Sequence, residues 1–182
     1  EYRGKLPQDI QHLIQNPDDR TSKGAELSHS YYQGLALELG RLRGYKTYVP
    51  AQDANRLCAG RRLGEIADTS VIPRFTYDHI LRSVSAIDVI WFNSRGFPAT
   101  AIEIEHTTDF RAALEKFSEL VDFRTELLAV GHRVRRAQFE AVISRSLYEP
   151  LHNRVRCVDY ERLAELHSKT LAMREALQDT AI

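Results

Sequence analysis

Apolar residues recur along this chain with two different periods, and the switches between them predict its elements. Between residues 28 and 43 the positions Tyr31, Leu35, Leu39 and Leu42 carry helical spacing, with Ser28 or Ser30 placed to cap the start and Gly44 to end it. Residues 46–49 read as a short strand stopped by Pro50. Residues 51–74 form a polar, basic connection interrupted by a short helix near residues 63–67. After Pro73, residues 77–84 read as helical, and 87–92 and 100–105 as apolar strands. Their short, turn-rich link, Asn93-Ser94-Arg95-Gly96-Phe97-Pro98, predicts an antiparallel hairpin. The longest helix is expected next. Phe110, Ala113, Leu114, Phe117, Leu120, Val121, Leu127 and Leu128 follow the i, i+3, i+4 rule, with Thr107 or Thr108 as cap and Gly131 as stop. Strands at 138–144 and 155–160 flank a short 145–151 segment, and an amphipathic helix spans 161–177.

This order predicts an α/β fold, a mixed sheet of about five strands with helices on both faces. A content of 43% hydrophobic residues in 182 suffices for one core, which gives a lead-in segment over 1–27 and a single domain over 28–182. Basic and acidic side chains balance at 25 each, so any phosphate-binding surface has to be a local patch. Cys58 and Cys157 sit in no metal-binding or disulfide pattern, which suits a reducing cytoplasm. No run of about 18 apolar residues and no signal-peptide core is present, so no membrane partner is expected. The first residue is Glu1 rather than Met, which leaves room for an additional DNA-recognition domain upstream.

The informative chemistry lies in the central hairpin. Asp88 interrupts the apolar run Ile87-Asp88-Val89-Ile90-Trp91-Phe92, and Glu103 and Glu105 share one face of the next strand, roughly 7 Å apart. Carboxylates in segments this apolar repel one another and are costly to desolvate without a compensating cation, which points to a divalent metal and phosphodiester chemistry. Buried acids satisfied by turn amides, or edge-strand acids paired with Arg or Lys, are the structural alternatives.

Asp88, a 15-residue step, then Glu103-Ile104-Glu105 and a helix resembles the PD-(D/E)xK nuclease superfamily, which includes many restriction endonucleases. The surrounding Tyr32-Gln33-Gly34, Leu39-Gly40-Arg41-Leu42-Arg43-Gly44-Tyr45, Asp88-Val89-Ile90-Trp91 and Glu103-Ile104-Glu105-His106-Thr107-Thr108 are similar to bacterial restriction-endonuclease-like proteins. The resemblance implies a restriction-endonuclease-like core. It also implies a magnesium ion, replaceable by manganese, on Asp88, Glu103 and the main-chain carbonyl of Ile104. Two positions depart from the pattern: Ile87 stands for the motif's Pro, and Glu105 for its Lys. A glutamate there can accept a proton from the attacking water or share a second metal. Lys116 on the following helix restores the missing cation if it reaches back; otherwise it is a solvated lysine paired with Glu115 or Glu119.

Glu38, on the margin of the first helix's apolar stripe, is the remaining candidate acid for the metal, with pairing to Arg41 or Arg43 as its alternative. The candidates for contact with DNA are Gln33, the basic groups Arg56, Arg61, Arg62 and Arg133, Arg135, Arg136, and His106, Thr107 and Thr108 at the strand-to-helix junction. For these the alternatives are solvated loops, helix capping and a hydrogen-bonded structural histidine. The expected activity is a magnesium-dependent endodeoxyribonuclease acting in restriction or defence, as a homodimer. The competing expectations are a nucleic-acid-binding module of the same fold that has lost turnover, and a repair or recombination nuclease for branched DNA.

Overall fold

The computed structural model of the protein describes residues 22–106 and 110–179. The expected lead-in segment and the two threonines Thr107 and Thr108 fall wholly or mostly outside these residues. The first helix, α1 (Ser22–Leu42), begins six residues before the expected start, so Ser28 and Ser30 are buried within it rather than capping it. It ends as expected. Gly44, at φ +84°, donates to the Arg41 carbonyl and Tyr45 donates back to Gly40, the paired bonds of a left-handed glycine terminus.

After β1 (Lys46–Tyr48) the connection folds into a small hairpin, β2 (Leu57–Cys58) with β3 (Arg61–Arg62), turned by Ala59 and Gly60 at positive φ, and then α2 (Leu63–Ile66). Helix α3 (Asp78–Val84) leads to β4 (Val89–Phe92) and β5 (Pro98–Glu105), which pair antiparallel as expected. The Asn93 side chain accepts from the amides of Arg95 and Phe97 and sets the turn between them.

Two expectations need correction. The long helix stops early: α4 covers only Arg111–Ser118, and the apolar run after the turn is β6 (Glu126–Gly131), paired parallel to β5. A strand buried on both faces is apolar at every position, and such a run satisfies a helical template by accident. The strand expected at 138–144 is instead α5 (Arg136–Ile143), which buries Phe139, Val142 and Ile143 at i, i+3, i+4. The last elements, β7 (Val155–Asp159) and α6 (Tyr160–Asp179), lie where expected.

The result is a five-stranded mixed sheet in the order β1-β4-β5-β6-β7, flanked by helices. Val89, Trp91, Ile102 and Ile104 face α1 and α6, packing on Tyr32, Leu35, Tyr160 and Leu163. Ile90, Phe92, Ala101 and Leu127 face the other way, onto Phe110, Leu114 and Phe117 of the α4 region and Phe139 of α5. Because β5, β6 and β7 run parallel and β4 antiparallel to β5, the end of β5 and the start of β4 meet at one edge of the sheet. Among the described residues no helix is long and apolar enough to cross a membrane.

Candidate metal and nuclease site

Asp88 sits one residue before Val89, the partner of Ile102, so the antiparallel register carries Asp88 opposite Glu103. Two hydrogen bonds lock that pairing: the Asp88 amide donates to Glu103 Oε1 at 3.1 Å, and the Ile104 amide donates to Asp88 Oδ2 at 2.7 Å. Both acids are buried, Glu103 to 2% exposure. Glu105 follows on the same face of β5 and is buried too; its carbonyl accepts the Tyr160 hydroxyl at 2.8 Å.

Lys116 reaches back from α4. Its Nζ lies 2.5 Å from Glu103 Oε2 and donates to the Ala86 carbonyl at 3.1 Å, so its partner is the strand acid and not a neighbour on its own helix. Burial, then the negative charge of Asp88, pushes the Glu103 carboxyl well above the usual carboxylate range, and the Lys116 ammonium offsets this only in part. The charged form of Glu103 is therefore short of positive charge where it stands. Hard oxygen donors from Asp88 and Glu103 beside such a deficit fit a divalent cation.

Helix α1 and the loop after β1 close the opposite side of Asp88. His29 Nε2 stands 3.5 Å from Asp88 Oδ1. Gln33, fully buried, donates through Nε2 both to the Asp88 carbonyl at 2.9 Å and to Asp53 Oδ2 at 3.0 Å. With both amide hydrogens used inside the protein, Gln33 is placed beneath the acids rather than at a substrate surface. Asp53 is also held by Arg56 at 3.1 Å. One ligand atom each from His29, Asp53 and Asp88 lie within 4.8 Å of one another.

The structure does not bring Glu38 to this cluster. It lies five residues beyond Gln33, about 140° further round the helix. Its carboxylate is taken by Arg61 at 3.2 Å and by His167 of α6 at 3.0 Å, neither of them the partners Arg41 or Arg43 considered from sequence. Arg61 and Arg56 are thus engaged with acids, while Arg62 is exposed in the β2–β3 hairpin. Of the second arginine group, Arg133 and Arg136 are exposed, and Arg136 donates to the Cys157 carbonyl. Arg135 turns toward the site: its charge acts on both His106 and Tyr160, and its Nη1 is buried with no hydrogen-bond partner among the described residues.

His106 shares the Tyr160 hydroxyl at 2.9 Å and packs 5.6 Å from the His29 ring. Burial, then the neighbouring His29, drives its pKa down to about 3, so at neutral pH it is an uncharged hydrogen-bonding group and not a phosphate-binding cation. Tyr160 in turn stacks on Tyr32 with ring centroids 4.0 Å apart.

Sequence reasoning missed His29, Asp53 and Tyr160. His29 had a usable signal, being one helical turn before Gln33 and so on the same face. Asp53 had none, because only the path of the loop after Pro50 brings it to Asp88. No curated protein and no solved structure shows a significant match to this chain. A family model described as the Type II restriction enzyme NmeDI C-terminal domain matches residues 7–182, nearly the whole chain, and the protein belongs to that family.

Proposed function

We propose that the chain is a magnesium-dependent endodeoxyribonuclease with a restriction or defence role, its reaction centred on Asp88, Glu103 and Lys116. The observation that carries this reading is the mutual locking of Asp88 and Glu103 across β4 and β5, with the Lys116 ammonium on Glu103 Oε2. The family name supports DNA as the substrate.

In this reading magnesium is held by Asp88, Glu103 and the Ile104 carbonyl, with manganese able to replace it. Once bound, such an ion lowers the pKa of a water ligand and neutralises charge developing on phosphate. The protein's own groups do the rest. The Ile104 amide fixes the Asp88 carboxylate, and the Asp88 amide fixes that of Glu103, so neither acid has to reorganise. Lys116 supplies from α4 the cation that Glu105 does not supply from the strand. Glu105, on the same face as Glu103, is the acceptor for the proton of the attacking water.

The test uses purified protein, supercoiled plasmid and magnesium. Wild type is expected to nick the plasmid, and Asp88→Ala and Glu103→Ala to abolish nicking while keeping the fold by circular dichroism. Lys116→Ala is expected to lose roughly 100-fold or more in rate, the scale of removing one preorganised charge donor. Normal cleavage by folded alanine variants at Asp88 or Glu103 refutes the assignment. DNA binding without nicks, under any divalent metal, favours the rival binding module, in which Lys116 alone balances Glu103. Cleavage confined to branched DNA points to repair or recombination.

A further inference from the structure

We infer that His29, Asp53 and Asp88 form a second cation site, on the α1 side of Asp88, that takes a divalent transition metal of the manganese or zinc class in preference to magnesium. The proposal rests on the nuclease reading only in sharing Asp88.

Three observations converge. A ligand atom from each of the three side chains already lies within 4.8 Å of the other two, a spacing that one ion can close. Among the described residues His29 Nε2 is buried without a hydrogen-bond partner, and it faces Asp88 Oδ1 at 3.5 Å, too long for a hydrogen bond of ordinary strength. Gln33 is fully buried at the same place; its nitrogen binds Asp53 and the Asp88 carbonyl, and its Oε1 has no partner among the described residues. Buried polar atoms without partners are costly, and here they accumulate around one carboxylate pair.

Charge leads to the same place. Among the described residues Asp53 is paired with Arg56 and Glu103 with Lys116, which leaves the His29 imidazole as the basic group facing the Asp88 carboxylate. Lys116 serves Glu103, on the far side of Asp88, and Arg56 serves Asp53 Oδ1. Oδ1 of Asp88 faces His29 Nε2, and the second oxygen of Asp53 accepts from Gln33. The donor set decides the metal. One imidazole nitrogen with two carboxylate oxygens suits a borderline ion, whereas magnesium prefers oxygen ligands and water. Gln33 then acts as a positioning residue that holds the Asp53 carboxylate and the Asp88 main chain, as outer-shell hydrogen bonds do at metal sites.

The test measures manganese binding to the full chain without DNA, by the electron paramagnetic resonance of free manganese, and follows the histidine ring signals by NMR. With excess magnesium present to fill the Asp88–Glu103 site, wild type is expected still to bind manganese and to show broadening of the His29 ring together with that of His106, whose centroid lies 5.6 Å away. His29→Ala and Asp53→Asn are expected to weaken this binding at least 10-fold, while Glu103→Gln retains the His29 broadening. The wild-type spectrum needs no variant to fold, so it stands as evidence alone. Absence of His29 broadening at saturating manganese, or binding unchanged in folded His29→Ala and Asp53→Asn, overturns the second site. Magnesium-dependent nicking that persists alongside such a result leaves the nuclease reading intact, so the two failures are distinguishable.

Discussion

At Glu103 function and stability pull in opposite directions. Its carboxyl is raised above the ordinary value because burial and Asp88 outweigh the help from Lys116. A group with a raised folded pKa gives stability that is fully present below its unfolded pKa and is lost as pH rises through the folded one. Without divalent metal, the protein therefore loses stability as Glu103 ionises, and Glu103→Gln, which cannot ionise, is expected to melt higher than wild type near pH 8. The advantage is expected to shrink toward pH 5 and on adding magnesium to wild type. Thermal melts of both proteins across that range, with and without the metal, check it; a wild type that stays the more stable at pH 8 without metal contradicts it. The acids themselves were legible in the sequence because period-2 geometry dictates that Glu103 and Glu105 share a face, and an acid in an apolar strand needs a reason. His29 and Asp53 were not, since tertiary contacts alone bring them to Asp88. Glu38 was the candidate acid on the first helix, but its helical phase turns it toward Arg61 and His167.

At the scale of elements, α1 carries part of the site and must lie close to the sheet to deliver it. Gly40 marks its close approach to the five-stranded sheet: a Cβ there would stand 2.5 Å from Trp91 Nε1 and 2.6 Å from Thr47 Cγ2. The indole cannot easily move aside, because Nε1 donates to the Ala36 carbonyl of the same helix at 3.0 Å and the ring is buried. Gly40→Ala is expected to cost about 1–3 kcal/mol of stability, the range for overpacking, and to slow cleavage by lifting His29 and Gln33 with the helix. Denaturant unfolding with parallel nicking assays checks both halves; a variant as stable as wild type shows that the gap is wider than described. Glycine was visible at this position in the sequence, but its partner was not. The same limit explains the exchange of strand and helix after residue 118. The sheet has the expected five strands, yet one is drawn from the far half of the expected helix, and the segment expected to supply it packs as α5. Apolar runs such as Leu127 to Val130 carry no phase, so only the parallel partners β5 and β7 specify the strand.

For the whole molecule, a net charge of zero means that attraction to DNA cannot come from the overall field and must come from how the site and its arginines are presented. Among the described residues the proposed reaction has one locked acid pair, at one edge of one sheet. A single such centre hydrolyses one phosphodiester at a time, and the two strands of a duplex present their phosphates with opposite polarity. Cutting both therefore calls for two copies related by a two-fold axis, or for two successive visits by one copy. The homodimer expected from the sequence makes these cases separable by concentration. At low protein, open-circular plasmid is expected to accumulate first; as concentration rises, linear product is expected to appear without a lag, its initial rate growing faster than in proportion to protein. Sedimentation velocity over the same range is expected to show the shift from monomer to dimer. Linear product formed without an open-circular intermediate at the lowest concentration, by a species that sediments as a monomer, is incompatible with one centre per chain and requires a second cutting site outside the described residues.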